Sequence, residues 1–398
     1  MIDFSTAFSI VQQRATDFGL TTVPLDQSLG RVLREDWRTD RPLPPYDRVT
    51  MDGIAILHAT WQGGQRSFSV AGVAAAGMPQ QTLDNPQHCL EVMTGSILPQ
   101  GCDTVIRYED LTIADGTATI NVDHLRFRQN VHFKGEDRSA GEVVVRKNTR
   151  ISAAEIGLGA SIGQTQVPVA RLPKVMVLST GDELVPIDQQ PLAHQIRRSN
   201  VYRMLTTLRG FGIAAASDHL NDDLTEIRTQ LGRYLEEYDA ILLSGGVSKG
   251  KFDYLPQVLD ELGVEKLFHK VRQRPGKPFW FGHFQDRCTL FAFPGNPVSS
   301  FMCLQRYFVP WLERSLGLPP IPPQYAVLTE DVPFKPDLTY FLLVQLTSAP
   351  DGRLLAKPSK GNGSGDLANL ATADAFVELA RGQDVYPKGS VFPVWRYR

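Results

Sequence analysis

Gly245, Gly250 and Lys251, in the stretch LLSGGVSKGKFDY over 242–254, have the G-x-x-x-x-G-K spacing of a loop whose backbone amides cradle phosphates. The apolar run Ala240-Ile241-Leu242-Leu243 in front of them reads as a strand. A Walker loop next needs a Ser or Thr hydroxyl to hold magnesium and a helix that starts at once. Phe252 stands in that place, and the following FDYLP carries Pro256 before any helical pattern. A P-loop kinase or NTPase is therefore the lesser reading, and an anion cradle of another kind the better one.

Three other short stretches could share in that chemistry. Thr180-Gly181-Asp182-Glu183 follows VMVLS, Asn221-Asp222-Asp223 follows AASDHL, and Pro294-Gly295-Asn296-Pro297 follows TLFAF and opens a helix. Glycines and helix starts expose backbone N–H groups to anions, and carboxylates among them suit a metal ion or an acid–base step. Each stretch alone is also what a plain turn or helix cap looks like. Their weight comes from convergence, because ligands of open α/β sheets bind beyond the carboxyl ends of the strands. KLFHKVRQRPGK adds Lys266, Lys270, Arg272, Arg274 and Lys277. Read as one strand, it puts Lys270, Arg272 and Arg274 on a single face, which is costly to bury without anionic partners. The expected ligand is a small polyanion.

The elements that must hold these residues follow from periodicity. The N-terminus shows Phe4, Ala7, Phe8, Val11, Ala15 and Phe18 at helical spacing, with Asp3 or Ser5 to cap it and Gly19 to end it. From about Arg41 to Asp137 short β-type runs such as SFSVAGV, TVIRYED and TATINV alternate with turn residues, and helical pattern returns at ISAAEIGLGASIG. A β-rich domain inserted into the first one explains this. From Pro173 strands and helices alternate: KVMVLST, a helix over SNVYRMLTTLRGFG, IAAASDHL, a helix over DDLTEIRTQLGRYLEEY, DAILLSGG, a helix over YLPQVLDELG, VEKLFHKVRQ, PFWFGHF, CTLFAFPGNP and a helix from about Pro297 to Leu316. That rhythm predicts a layered α/β domain with a mostly parallel sheet. After GLPPIPP, β-type runs close the chain. The expected domains are 1–45 with 138–170, an inserted β-rich domain over 46–137, the α/β domain over 171–316 and a small β domain over 317–398.

The chain has 398 residues and a formal charge of -2, with 42% hydrophobic and 21% charged residues. No basic field points to nucleic acid. Cys89, Cys102, Cys288 and Cys303 form no C-x-x-C pair, which argues against a zinc or redox motif and for a reducing compartment. The N-terminus lacks the pattern of a signal peptide, and no apolar run is long enough to span a bilayer. The expected location is cytoplasmic.

Taken together and in order, PPYDRVTMDGIA, EVMTGSILPQGCDTVI, GEDRSAGE, STGDEL, SGGVS…DY, RPGKP and PGNPVS resemble the motifs of the molybdopterin molybdenumtransferases, the MoeA and gephyrin E-domain family. The resemblance covers essentially the whole chain. It implies a multidomain α/β protein: a three-layer molybdopterin-binding domain, an inserted β-rich domain, an N-terminal α/β linker domain and a C-terminal β-barrel-like domain. It implies insertion of molybdate into adenylylated molybdopterin with release of AMP, a divalent cation, usually Mg2+, and a homodimer whose active site lies between the α/β domain of one subunit and the β domain of the other. Transient contacts with other cofactor-synthesis proteins and apo-molybdoenzymes are further implied partners; nucleic acid and membrane are not.

Carried over motif by motif, Asp52 and Thr94 would be the β domain's catalytic contributions to the neighbour's site, with Asp137, also catalytic, nearby. Glu183, Asp222 and Asp253 would be the catalytic acids and metal ligands. Gly245, Gly246 and Ser248 would cradle phosphate, Lys270, Arg274 and Lys277 would bind the pterin phosphate or molybdate, and Pro294, Gly295, Asn296 and Ser364 would complete the substrate site. The sequence departs from the family pattern at Arg198, where Asp or Asn is common, at Arg274 in place of Lys, at Lys249 and Lys251, and in DLTYFLLVQL, which lacks two expected arginines. These departures leave open tungstate over molybdate, and a non-catalytic scaffold of the same fold.

Overall fold

The computed structural model describes residues 1–246 and 254–398, so Ser248, Lys249, Lys251 and Asp253 lie outside the described residues. These fall into two compact units: Met1–Arg34, Asn148–Ser152 and Val167–Arg398 form one, Glu35–Lys147 and Ala153–Gln166 the other.

In the first unit α1 (Phe4–Gln13) buries Phe4, Ala7 and Val11. It stops at Gln13, short of the expected Gly19. Asp3, expected as its cap, makes no side-chain cap bond and instead pairs with Arg272 and Arg381. The central sheet is built from β1 (Val175–Thr180), β2 (Ala216–Leu220), β3 (Ala240–Ser244), β4 (Glu265–His269), β5 (Trp280–Phe284) and β6 (Cys288–Phe293), in the order β2-β1-β3-β6-β5-β4. β2, β1, β3 and β6 are parallel, while β5 runs antiparallel to both β6 and β4.

The apolar runs of β1 and β3 are continuous rather than alternating because both faces of the sheet are covered. Val175, Val177 and Leu242 face a core shared with α2 (Asn200–Gly210), which contributes Met204 and Leu208. Met176, Leu178, Ile241 and Leu243 face the opposite core, with Ile227 and Leu231 of α3 (Leu224–Glu237) and Leu255 and Leu259 of α4 (Leu255–Glu261). This is a three-layer sandwich.

The last helix runs as α5 (Pro297–Cys303), a π-helical segment Leu304–Phe308 and α6 (Val309–Ser315). Pro310 cannot donate a backbone hydrogen bond to the preceding turn, and the widened segment lies just before it.

The strand expected over VEKLFHKVRQ is corrected. It ends at His269, and Lys270 takes a left-handed φ of 72° that turns the chain out of the sheet. Lys270 N–H donates to Phe279 O (3.0 Å) and Val271 N–H to Lys277 O (2.9 Å), closing a loop over 270–279. Lys270, Arg272 and Arg274 therefore do not share a strand face. Gln273–Arg274 instead pairs in parallel with Thr339 and Tyr340 of the C-terminal barrel. That barrel closes through β7 (Gln324–Leu328), β8 (Thr339–Ser348), β9 (Leu354–Pro358), β10 (Ala375–Leu379) and β11 (Val391–Arg396), paired β8-β9-β7-β11-β10-β8.

The second unit carries a six-stranded sheet in the order Thr104–Arg107, Gly53–Ile56, His88–Val92, Ser67–Ala74, Thr117–Ile120 and Leu111–Ala114, with the helix Ala153–Ser161 in the same unit.

Candidate functional site

The parallel strands end on one edge of the sheet. From β1 the chain crosses to β2 on one side, and from β3 it moves to the other side, so the crevice between the carboxyl ends of β1 and β3 is the topological switch point. The loops after these strands meet there. Gly245 has φ +101°, and a Cβ on it would lie 3.1 Å from Thr180 O; Gly246 has φ +69°, and a Cβ would lie 2.4 Å from Leu255 Cδ1. Only glycine fits this backbone in this space. Gly245 N–H donates to Phe293 O (3.1 Å), tying the loop to β6.

Asn200, the first residue of α2, joins the same loops. Its Nδ2 donates to Ser244 Oγ (2.8 Å) and to Gly295 O (2.7 Å). Arg203 fixes the amide by donating to Asn200 Oδ1, and its other arm donates to Pro297 O (3.0 Å). Burial pulls the Arg203 guanidinium down to about 10. Neither Asn200 nor Arg203 was found from sequence; the only signal was a polar residue opening a helix near a strand end.

Two cavities adjoin along this edge. The larger, ≈480 Å³, is lined by Thr180, Glu183, Arg198, Asn200, Gly245 and Gly295 among others. The second, ≈390 Å³, is lined by Arg274, Lys277, Tyr340, Ser359 and Ser364. Pro278, Pro294 and Asn296 line both. Asn296 Nδ2 donates to Ser364 Oγ (2.8 Å), and Val298 N–H to Ser364 O (3.0 Å), so a loop from the C-terminal barrel seals the start of α5. Arg274 and Lys277 are exposed and have no ion pair among the described residues; Arg274 sits 5.8 Å from the Phe334 ring centroid. Lys270 lines neither cavity.

The loop that carries Arg274 and Lys277 is held from below. Tyr307, in the π-helical segment, donates its hydroxyl to Gln273 Oε1, and Gln273 Nε2 donates to Gly276 O (3.0 Å); both side chains are fully buried. Gly276 has φ +90°, and a Cβ there would lie 2.7 Å from Cys303 Sγ.

Of the acids, Glu183 lines the larger cavity. The Asp222 N–H donates to Asp182 Oδ1 (3.1 Å), which brings the loops after β1 and β2 together, while Asp223 caps α3 by accepting from Glu226 N–H (2.7 Å). Among the described residues no three His, Cys, Asp or Glu side chains gather as a metal site. Glu183 and Asp222 offer the hard carboxylate oxygens that magnesium prefers, on neighbouring loops.

Asp52, Thr94 and Asp137 belong to the second unit. Thr94 N–H donates to Asp52 Oδ1 (2.6 Å), and this bond, together with one from the Thr94 side chain, holds the Asp52 carboxyl below its usual range. Arg48 donates to His132 Nδ1 (2.9 Å), which leaves the proton on Nε2 to be donated to Asp137 Oδ1 (3.0 Å).

A doubly wound sheet with adjoining cavities along its carboxyl edge, lined by cations that have no ion pair among the described residues, has the form of a binding domain for small anionic ligands. The chain matches, in order, the MoeA N-terminal region (domain I and II) over residues 2–163, the probable molybdopterin binding domain over 176–314 and the MoeA C-terminal region (domain IV) over 325–397. It is 42% identical over 400 aligned residues, covering 100% of both chains, to a molybdopterin molybdenumtransferase of Synechocystis sp.. It is 30% identical to one of Staphylococcus epidermidis, across 99% of this chain and 95% of that one. The structure of a molybdopterin biosynthesis MoeA protein from Pyrococcus horikoshii superposes with a TM-score of 0.84 at 25% identity, covering 100% of both chains. The chain belongs to the MoeA family.

Proposed function

We propose that this protein inserts molybdate into adenylylated molybdopterin and releases AMP, as a molybdopterin molybdenumtransferase. The observation that carries this reading is the pair of cavities joined at Pro278, Pro294 and Asn296 on the switch-point edge. A ligand with two anionic parts, joined by the bond to be broken, suits two polar chambers with a common wall.

In this reading the glycine backbone at 245–246, with Ser248, receives phosphate oxygens, because amide N–H groups can approach where no side chain intervenes. Arg274 and Lys277 hold the pterin phosphate or the molybdate in the second cavity by charge-assisted contacts. Asn296 and Ser364, bonded to each other, keep the common wall in one geometry. Lys270 acts on the anion from outside both cavities. Mg2+ would be held by Glu183 and Asp222 with Asp253, and when bound it supplies positive charge to phosphate oxygens.

The protein acts as a homodimer, with Asp52, Thr94 and Asp137 serving the partner's site, in the cytoplasm. The four-domain division expected from sequence remains part of this proposal. Among the described residues no helix is long and apolar enough to cross a membrane.

The test is to incubate the purified protein with adenylylated molybdopterin, Mg2+ and molybdate, then to assay AMP and the reconstitution of an apo-molybdoenzyme. Both products are expected. The absence of both overturns the reading.

A further inference from the structure

Among the described residues Arg197, Arg198 and Arg203 stand at the larger cavity or against its lining, and two of these are already engaged. Arg197 donates to Gln189 O (3.1 Å) and Gln190 Oε1 (3.4 Å). Arg203 donates to Asn200 and to Pro297 O. Arg198 differs. Its backbone is anchored, N–H to Val185 O at 3.0 Å, its side chain is partly buried, and it lines the cavity. Among the described residues that side chain makes no hydrogen bond or ion pair.

The acids around it are occupied elsewhere. Asp182 accepts from Asp222 N–H, and Asp218 from the Tyr234 hydroxyl and the His219 N–H. Glu183 shares the cavity without coming within ion-pair distance of Arg198. His219, bonded through Nδ1 to Ser179 Oγ (2.9 Å), lies close enough to feel the guanidinium charge. A partly desolvated guanidinium with a fixed main chain and no partner among the described residues is poised for a ligand anion, which it can grip through two parallel N–H bonds.

We propose that Arg198 binds a tetrahedral oxyanion in the larger cavity, and that it sets the anion preference of that chamber. Resting on the function proposed above, the ligand group is the phosphate of the nucleotide half of the substrate. A free oxyanion shares the same chemistry.

Isothermal titration of AMP, inorganic phosphate and molybdate against wild type, Arg198→Ala, Arg198→Lys and Arg197→Ala separates these sources. Arg198→Ala should weaken AMP roughly tenfold or more, with partial recovery in Arg198→Lys. Arg197→Ala should change it by less than about fivefold. Weakened phosphate and molybdate with unchanged AMP would keep Arg198 as an oxyanion ligand and assign it to the free anion. Unchanged affinity for all three probes, or equal losses in the two alanine variants, overturns the proposal.

An NMR titration of His219 in unliganded Arg198→Ala checks the placement. Burial first and Arg198 second hold the His219 pKa down, with Ser179, Asp218 and Asp182 acting the other way. Loss of Arg198 should raise it, and an unmoved value would contradict the geometry. AMP binding that depends on Arg198 in a protein that never inserts molybdate would overturn the proposed function and leave this inference standing.

Discussion

Arg198, Arg274 and Lys277 carry the residue-scale account, because each is a cation facing a cavity without an ion pair among the described residues. Arg274→Ala and Lys277→Ala should each raise KM for the pterin substrate roughly tenfold to a hundredfold, the worth of one charge-assisted contact, with little change in melting temperature. Steady-state kinetics beside thermal denaturation checks this; a fall in stability with unchanged KM would make both residues structural. His283 gives a pH signature. Burial, then Arg14, holds its pKa below the ordinary 6.5, so the unfolded chain takes up the proton first as pH falls. The stability that the neutral imidazole contributes is full above about pH 6.5 and is lost as pH falls towards the lower pKa of the folded state. Melting temperatures from about pH 7 to about pH 5 should decline, and less steeply in His283→Gln. At this scale the position of the loop glycines and Asn296 beyond strand ends was legible in sequence, since each follows an apolar run that reads as a strand. That Arg198 has no partner among the described residues was not, because it depends on what Arg197, Asp182 and Asp218 do in space.

Among the elements, the parallel strands were readable because burial on both faces writes them as unbroken apolar runs: VMVLST for β1, AILLS for β3 and CTLFAF for β6. The basic strand was misread for a physical reason. Period-two alternation is meaningful only while the backbone stays extended, and the left-handed residue at Lys270 ends it. The support under the RPGKP loop was also hidden, since Tyr307 and Gln273 are 34 residues apart and meet only through the fold. That pair predicts a separable effect. Tyr307→Phe leaves a buried Gln273 oxygen unpaired and should cost about 1–3 kcal/mol of stability while raising KM. Adding Gln273→Leu removes the orphan and should restore much of the stability without restoring KM. Denaturant unfolding and KM measured on both variants decide it, and joint recovery would mean that the pair only fills space. Gly276→Ala, which cannot be accommodated beside Cys303, should impair both measures.

For the whole molecule, the matches to the family run from residue 2 to residue 397, in agreement with the order of motifs in the sequence. The proposed shared site makes a prediction that single-chain geometry does not. Asp52→Asn and Lys277→Ala should each be poor enzymes, yet mixing them after subunit exchange should recover activity, because one site of the hybrid dimer is built from two intact contributions. No recovery in verified hybrids would place both residues in the service of a single chain. The central claim is the coupling of molybdate insertion to AMP release. It is tested most directly by a single turnover with adenylylated molybdopterin and Mg2+, following AMP and protein-bound molybdenum with molybdate present and absent. One AMP is expected for each molybdenum inserted, together with molybdenum cofactor that activates an apo-enzyme. Molybdenum-independent hydrolysis of ATP, or intact adenylylated pterin after incubation with molybdate, would contradict it.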